Sequence, residues 1–289
     1  MEPLGEVLNR ITQKKTPSLS TGECWCGGVG GHTIRYMAPF GQYSEAQAVF
    51  DETCVCEVGQ QEAQRKEQLQ WEYNSAQTAS IARLRWQNSG VPQRFIDYRL
   101  STSPIRAVNS KLIERLTCPS EDIVEWDDAF DRWWGSWYFH GPYGVGKTGL
   151  AVGFAYEMNV QAFCEASQRI RFVTLPRLLA ELRSTYNRRG ENVETEQDVI
   201  DRYAKTTLLI LDDLGAEHVK GSGWVEDRLY QVIGERHDEE RVTVFTSNLS
   251  LKELANHIGE RITWRILEMC GPERIVAVTG PNLRDVRKG

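Results

Sequence analysis

The sequence has no long apolar run, and no stretch approaches the roughly 18 apolar residues that a membrane helix needs. Its start, MEPLGEVLNR, has neither the basic region nor the apolar core of a secretory signal. There is no internal repeat and no low-complexity tract, and 40% of the residues are hydrophobic. These features exclude a disordered or fibrous protein and predict a cytoplasmic location without a membrane partner.

Basic residues are not in excess. The 289 residues include 34 Lys and Arg against 40 Asp and Glu, for a formal net charge of -6, which argues against a general nucleic-acid coat protein. The charge is unevenly distributed, however. Residues 169–189 carry six arginines against one acid, Glu181, whereas residues 121–131 carry six acids and no base.

Seven cysteines, an odd number in a chain without a secretion signal, indicate metal ligands and buried thiols rather than a disulfide framework. Four of them form two close pairs, Cys24 with Cys26 and Cys54 with Cys56. Four thiolates could fold such a core-poor segment around a tetrahedral zinc ion. Structural zinc pairs usually have a wider spacing, so His32 could replace one thiol. Four reduced cysteines without metal are the alternative.

Composition divides the chain into three parts. Residues 1–60 are rich in Gly, Cys and turn residues and are expected to form a small zinc-binding domain that contacts a partner. Residues 61–100 form a helical linker, because good helix formers continue without Pro as far as Gly90. Residues 101–289 alternate strand-like and helix-like segments, which predicts an α/β domain with a mainly parallel sheet flanked by helices. The predicted strands are 137–140, 171–174, 207–211 and 242–246.

A Gly-rich segment, GPYGVGKT, follows the first predicted strand and matches the phosphate-binding pattern G-x-x-x-x-G-K-[ST]. Its glycines let the backbone approach a phosphate chain, Lys147 supplies a charge for the β and γ phosphates, and Thr148 offers a hydroxyl to Mg²⁺. A Gly-rich turn that meets the pattern by chance is the alternative. The predicted ATP-binding positions here are Gly141, Pro142, Tyr143, Gly144, Val145, Gly146, Lys147, Thr148 and Gly149.

Two carboxylates follow the most apolar predicted strand, TLLIL. Asp212 is expected to hold Mg²⁺ through the water shell of the ion, and Asp213 to polarise the attacking water as general base. Asn248 follows another predicted strand, 242–246, where its side chain can hydrogen-bond the γ-phosphate and the attacking water. Ordinary turn chemistry is the alternative for all three residues.

Together these motifs resemble the AAA+ ATPases of the DnaC/IstB group. GPYGVGKT is similar to Walker A, LLILDDLGAE to Walker B, VTVFTSNLSLKEL to sensor 1 and GERITWRILEMC to the arginine-finger box. VPQRF, ahead of the Gly-rich segment, also resembles this group. The resemblance covers roughly residues 91–289 and implies an AAA+ P-loop ATPase fold.

The resemblance also implies ATP hydrolysis at a subunit interface of a homo-oligomeric ring or spiral. Arg265 is expected to act as the arginine finger and Arg284 as the sensor 2 arginine, which contacts phosphate in cis. Arg261 is a weaker finger candidate, and surface pairs with Glu260 or Glu268 are the alternative for both finger candidates. Related helicase loaders often carry an N-terminal module with CGG and a distal CxC, which supports zinc and a partner contact in residues 1–60.

A DNA contact is predicted from basic residues beside an aromatic one. Arg183, Arg188 and Arg189 flank Tyr186 and suit a phosphate backbone with a stacked base, and Lys220 is a second candidate. The resemblance places this region toward the pore of the ring. A solvated helix face is the alternative. Nothing in the segment reads base edges, so sequence-independent binding, with single-stranded DNA favoured, is expected.

The leading hypothesis is therefore an ATP-dependent loader of a hexameric replicative helicase, with ATP, Mg²⁺ and Zn²⁺ as cofactors. The second hypothesis is a transposition helper of the IstB kind, which assembles on double-stranded DNA and recruits a transposase. A third is an assembly protein gated by ATP with negligible turnover.

Overall fold

The computed structural model describes residues 31–36, 48–53, 57–104, 106, 108–117, 134–161, 169–186, 193–215 and 223–283. The chain divides into two compact units, Met1–Gln77 and Thr78–Gly289. No helix in these described ranges is both long and apolar enough to cross a membrane. The expected division into residues 1–60, 61–100 and 101–289 stays a prediction.

The first unit contains a β-hairpin. Strand β1 (Gly31–Tyr36) pairs antiparallel with β2 (Ala48–Thr53), with Gly31 opposite Thr53 and Tyr36 opposite Ala48. Thr, Ile, Val, Phe and Tyr in these segments are residues that suit a pleated sheet. The four predicted zinc ligands, Cys24, Cys26, Cys54 and Cys56, lie outside the described residues.

The predicted long helix is present as α1 (Glu57–Gln87). Glu57 lies in its first turn and Arg85 in its last turn, each at the end where its charge complements the helix dipole. The second unit includes the end of this helix. There, the Trp86 indole donates to the carbonyl of Ile96 at 2.9 Å and packs edge-on against the Tyr156 ring.

The core of the second unit is a parallel sheet of five strands in the order β4-β5-β6-β3-β7. Three of the four predicted strands match the observed strands to within one residue at each end. The exception is β5, which was expected to end at Leu211 but continues through both aspartates. The strands are β3 (Trp137–His140), β4 (Ile170–Thr174), β5 (Leu208–Leu214), β6 (Thr243–Ser247) and β7 (Ile275–Ala277).

Helices cover both faces of this sheet, as predicted. Neighbouring residues of one strand therefore enter different cores: Phe139 packs with Leu150 and Phe154, whereas Tyr138 packs with Leu211 and Phe245. The described helices of this unit after α1 are α2 (Ser110–Leu116), α3 (Lys147–Gln161), α4 (Leu175–Thr185), α5 (Glu196–Ala204), α6 (Gly223–Asp238), α7 (Leu251–Ile258) and α8 (Glu260–Cys270).

Side-chain caps begin several of these helices. Thr195 and Asp198 form a reciprocal capping box at α5, and Ser250 and Glu253 form another at α7. Thr174, the last residue of β4, accepts from the backbone N–H of Arg177 and so begins α4 without an intervening loop. Strand and helix ends are thereby fixed close to the carboxyl edge of the sheet, where the predicted site residues lie.

Candidate functional site

The Gly-rich segment connects β3 to α3 as a tight loop. Gly141 and Gly144 have φ of +143° and +82°, which a side chain rarely adopts. A Cβ at Gly141 would also collide with the carbonyl oxygen of Val278, and one at Gly144 with the side chain of Asn282. The glycines therefore allow the loop both its turn and a close contact with the segment after β7.

That C-terminal segment is a feature that the sequence did not predict. The backbone N–H of Val278 donates to the carbonyl of His140 at 2.7 Å, and that of Leu283 to the carbonyl of Gly144 at 2.9 Å. Residues 278–283 therefore pack along the outside of the loop. Arg284, the predicted sensor 2 arginine, follows this segment and lies outside the described residues.

Lys147 lies at the mouth of the loop and is 8% exposed. Its Nζ donates to the carbonyl oxygens of Gly141 and Pro142 at 2.8 and 2.7 Å, and to Oδ1 of Asn248 at 2.8 Å. The ammonium group is thus held by oxygen acceptors on three sides. Phosphate oxygens are acceptors of the same kind with a full negative charge, so they can compete for these protons.

Asp212 is buried at the carboxyl end of β5, at 7% exposure. Its Oδ1 accepts from the hydroxyls of Thr148 at 2.9 Å and Thr246 at 2.6 Å. Burial raises the pKa of Asp212, and the charge of Asp213 adds to this effect, whereas the two hydroxyl bonds and Lys147 act in the opposite direction. A carboxylate and a hydroxyl oxygen side by side are the hard ligands that Mg²⁺ takes in nucleotide sites, so these residues suit a magnesium nucleotide.

Asp213 is turned toward the site by an irregularity in the sheet. The register between β5 and β6 shifts between Leu211 and Leu214, and Asp213 has a left-handed φ of +63°. Its backbone N–H donates to Oγ1 of Thr246 at 2.9 Å, and Asn248 Nδ2 donates to its Oδ1 at 3.3 Å. Bulges of this kind commonly re-aim a side chain beside an active site, which explains why β5 continues past the expected end.

Asn248 connects the two halves of the site. Its amide oxygen accepts from Lys147, and its amide nitrogen donates to Asp213. The local turn is made by the neighbouring Ser247, whose hydroxyl donates to the carbonyl of Leu214 and accepts from the N–H of Leu249. The side chain of Asn248 is therefore used across the site and not for the turn; its contact with phosphate and water stays a prediction.

Thr246 is a site residue that the sequence reasoning did not single out. It bonds both aspartates at once, donating to the carboxylate of Asp212 and accepting from the backbone N–H of Asp213. The available signal was a hydroxyl residue at the end of the strand beside the acidic one. Threonine at a strand end is too common to be selected on that basis.

The two finger candidates lie apart from this cluster within the chain. The guanidinium of Arg265 donates to the Tyr230 hydroxyl at 2.8 Å and lies 4.1 Å from the centre of that ring. Arg261 lies 4.4 Å from the same ring. In the part of the chain that the structure describes, neither arginine pairs with a carboxylate, so the expected alternative pairs with Glu260 or Glu268 are not observed.

The described DNA candidates belong to an aromatic cluster. The Tyr186 ring, 54% exposed, meets Trp224 edge-on at 6.2 Å, and its hydroxyl donates to Glu196 at 2.7 Å. Arg183 lies 5.0 Å from the Trp224 ring. The sequence reasoning missed Trp224. The other candidates, Arg188, Arg189 and Lys220, lie outside the described residues.

Comparison with known proteins places these features in a family. A family model described as IstB-like ATP binding protein matches residues 137–284. The replicative helicase loader DnaI of Bacillus subtilis (strain 168) is 29% identical over 151 residues, which are 48% of this chain and 45% of that protein. The replicative helicase loader DnaC of Escherichia coli (strain K12) is 22% identical over 139 residues, 48% of this chain and 53% of that protein. The chain thus spans about half the length of these relatives.

One solved structure supports the fold, and a second is given for comparison. A crystal structure of the DnaC helicase loader matches with a TM-score of 0.50 and 20% identity, over 65% of this chain and 100% of that chain. A crystal structure of DnaI matches with a TM-score of 0.47 and 27% identity, over 67% of this chain and 94% of that chain. The expected AAA+ P-loop fold is therefore confirmed. Since the family match extends over half of its residues, the chain belongs to the IstB-like ATP-binding protein family.

Proposed function

We propose that the protein is an AAA+ ATPase that acts as a replicative helicase loader. The observation that carries the ATPase part is the convergence of Lys147, Asp212, Asp213 and Asn248 at the carboxyl edge of one parallel sheet. This is the edge at which open α/β sheets bind their ligands. The helicase-loader part is supported by the similarity of the chain to the replicative helicase loaders DnaI and DnaC.

The substrate in this proposal is ATP with its magnesium ion, and each site residue has a separate task. Lys147 exchanges its loop carbonyl acceptors for phosphate oxygens and neutralises developing charge. Thr148 would offer its hydroxyl to the magnesium ion, and Asp212 would hold that ion through its water shell. Asp213 accepts the proton of the attacking water, and Asn248 orients that water and the γ-phosphate.

Arg265 is proposed to act on the ATP of a neighbouring copy in a ring or spiral. This role is supported by the position of Arg265. Among the described residues it bonds Tyr230, and no described hydrogen bond joins it to the residues around Lys147. Tyr230 would hold the guanidinium ready through one neutral hydrogen bond and ring stacking. A guanidinium held by a neutral hydroxyl keeps its charge available, and phosphate is a stronger acceptor than a phenol.

DNA binding is proposed for Arg183, Tyr186, Arg188, Arg189 and Lys220, and zinc binding for the four N-terminal cysteines. An assembly on single-stranded DNA suits the exposed Tyr186 ring, which can stack on a base. The second candidate function, a transposition helper acting on double-stranded DNA, is favoured by the description of the matching family as IstB-like.

The test of the enzyme is steady-state ATP hydrolysis by the wild type and Lys147→Ala, each with single-stranded, double-stranded or no DNA. Removing the buried ammonium should lower kcat/KM by about a hundredfold or more, because one charge that stabilises the transition state is lost. Lys205→Ala is the matched control, since Lys205 is exposed and paired only with Asp201 in the described structure. A wild-type rate no higher than that of Lys147→Ala would favour the hypothesis that ATP only controls assembly and is not hydrolysed at a significant rate.

The proposal that Arg265 completes the ATP site of a neighbouring copy can be tested by mixing subunits that carry different substitutions. Arg265→Ala and Asp213→Ala should each be inactive alone, whereas their mixture should recover part of the activity at interfaces where an intact finger meets an intact Asp213. Mixing Arg265→Ala with Lys205→Ala controls for dilution. Absence of recovery, with oligomers still forming, would assign Arg265 to a structural role.

Two further measurements address the partner and the metal. The full chain should copurify with a hexameric helicase if it is a loader, and with a transposase if it is a transposition helper. Metal analysis should give about one zinc per chain, and substituting Cys54 and Cys56 with Ser should remove it. If metal analysis finds no zinc in the wild type, the four cysteines are reduced thiols without a metal.

A further inference from the structure

Trp264 is a large apolar side chain on the outer side of α8, and it is 63% exposed. Ile262 and Ile266 of the same helix are buried and face the core instead. Tryptophan side chains are highly buried on average, because few others gain as much from leaving water. Trp264 directly precedes Arg265, the proposed arginine finger, yet the proposed function gives it no task.

A second exposed aromatic ring lies in the Gly-rich loop. Tyr143 is 67% exposed, and the centre of its ring is 6.0 Å from Nζ of Lys147. Val145, another apolar residue of this loop, is buried in the core. The Tyr143 ring therefore forms part of the outer surface beside the proposed ATP site.

The two aromatic residues belong to opposite faces of the parallel sheet. Helix α8 packs on the face of Tyr138 through Ile262 and Ile266. The Gly-rich loop continues into α3, which packs on the face of Phe139. Because Trp264 points away from the core, α8 and the sheet separate it from the loop of its own chain. Two copies can bring these unlike surfaces together head to tail, which is the kind of contact that generates a ring or an open spiral.

We propose that Trp264 of one copy packs on Tyr143 of the next copy, so that the neighbour contributes a tryptophan as well as an arginine beside the ATP site. This contact rests on the subunit assembly of the proposed function. Consecutive Cα atoms are about 3.8 Å apart. When Arg265 reaches a phosphate bound at Lys147, the adjoining Trp264 is therefore placed close to the exposed ring of Tyr143.

The charges of the two surfaces are complementary. Arg261 and Arg265 lie 4.4 and 4.1 Å from the centre of the Tyr230 ring. They flank Trp264 and make this side of α8 positive, whereas the loop surface would carry the negative charge of the nucleotide. Opposite charges align two surfaces, and Trp, Tyr and Arg are the residue types that contribute most to protein interfaces. A nucleic-acid strand could use the two arginines but would leave Tyr143 uncovered, so these features favour a second copy.

A photo-crosslink tests the contact directly and does not require hydrolysis. Tyr143 is replaced by p-benzoylphenylalanine in one preparation of the full chain, and a second preparation is isotopically heavy and unsubstituted. The two are mixed with Mg²⁺ and a non-hydrolysable ATP analogue and irradiated. We expect mass spectrometry to find crosslinks from the light loop to heavy α8 peptides that contain Trp264. The same photo-reactive residue at Tyr73, a similarly exposed tyrosine of α1, is the control and should not label α8.

Substitution of Trp264 separates assembly from chemistry. Trp264→Ala should raise the chain concentration that gives half-maximal ATP hydrolysis per chain by about tenfold or more, because an interface tryptophan is lost. Trp264→Phe keeps an aromatic ring and should have a smaller effect. At saturating chain concentration, hydrolysis by Trp264→Ala should stay within about threefold of the wild type, whereas Arg265→Ala should lower it. Tyr73→Ala is the matched control and should leave both values unchanged.

Sedimentation with the same ATP analogue measures assembly independently of hydrolysis. Assembly without hydrolysis would contradict the ATPase proposal, whereas crosslinks to α8 of another copy would still support the contact. The contact is overturned if the wild type does not assemble, if Trp264→Ala assembles like the wild type, or if the loop crosslinks to elements other than α8. A loss of oligonucleotide binding by Trp264→Ala, with assembly unchanged, would assign Trp264 to nucleic acid instead.

Discussion

The two ends of the parallel sheet bury charge in different ways. At the amino end, Arg236 of α6 is 0% exposed, and its Nε donates to the Thr243 hydroxyl at 2.8 Å. Its other nitrogens donate only to backbone carbonyls. At the carboxyl end, Lys147 and Asp212 are also buried, but most of their partners are other side chains of the site. The carbonyl acceptors of Arg236 belong to Tyr203, Ala204, Thr206, Thr207 and Val242.

The difference separates a structural charge from a functional one. Burial lowers the pKa of Arg236 to about 9, so its guanidinium remains charged at neutral pH and holds the ends of helix α5 and strand β6 together. The guanidinium of Arg236 is buried among its carbonyls and cannot leave them without unfolding. The ammonium of Lys147 can exchange its two loop carbonyls and the Asn248 amide for a phosphate, and the hydroxyls that bond Asp212 can rotate away from it. Exchangeable partners, and not burial alone, distinguish the proposed ATP site.

The largest effect on this comparison should come from Arg236→Met, which leaves several buried carbonyls without a donor. We expect unfolding free energy to fall by about 2–4 kcal/mol, because unsatisfied buried acceptors are costly. Urea unfolding followed by circular dichroism measures it. Arg241→Met is the control, since Arg241 bonds one of the same carbonyls, Ala204, but is partly exposed and should cost under about 1 kcal/mol. Equal losses would remove the distinction between the two ends.

Thr246→Val should lower the free energy of unfolding by an intermediate amount and should also slow ATP hydrolysis. It removes the donor to Asp212 and the acceptor of the Asp213 N–H, so we expect a loss of about 1–2 kcal/mol. ATP hydrolysis should fall by about tenfold or more, because Asp213 is no longer held in its left-handed conformation. Thr246→Ser keeps the hydroxyl and should retain most of both properties. A stability loss without any change in kcat would show that Thr246 does not position Asp213.

Asp212→Asn should change the free energy of unfolding least, and it should raise it where the other substitutions lower it. Burial raises the pKa of Asp212, so the folded chain binds its proton more tightly than the unfolded chain does. Stability therefore falls as pH rises from the ordinary value, about 3.9, through the raised value. Asparagine keeps an oxygen acceptor without the charge, so we expect a gain of roughly 0.5–2 kcal/mol at pH 7 that disappears below about pH 4.

The same variant should lose magnesium-dependent nucleotide binding, which nucleotide fluorescence titration with and without Mg²⁺ would measure. Asp201→Asn is the contrasting control, because hydrogen bonds to Lys205 and Gln197 lower the pKa of Asp201. That substitution should slightly destabilise the chain at neutral pH. A destabilised Asp212→Asn variant at pH 7 would contradict the burial penalty assigned to this carboxylate.

Much of the α/β unit could be predicted from sequence because its signals are local. The apolar runs of β3 and β6 and the glycines before Lys147 indicate their structure without reference to distant residues. The shift between β5 and β6 could not be predicted, since it depends on how two strands pair. The same holds for residues 278–283, because their contact with the loop joins positions more than a hundred residues apart.

The arginine-rich segment 169–189 shows what the local sequence cannot predict about the environment of each arginine. As a sequence it is one basic patch, yet its described members have three different environments. Arg169 and Arg171 line a cavity beside the end of α1, Arg177 pairs with Glu181, and Arg183 lies over Trp224. Helix and strand geometry point neighbouring residues in different directions. A local charge count therefore indicated a basic segment without indicating the separate environment of each arginine.

The sequence by itself determined the parallel sheet, the Gly-rich loop and the acids after the apolar strand, because apolar periodicity and glycine positions act over a few residues. Only the tertiary structure decided which polar groups meet. Asn248 joins Lys147 to Asp213, and Thr246 joins the two aspartates, because the sheet order brings β6 between β5 and β3. Strand order follows from burying both faces of the whole sheet, a property that no single segment carries.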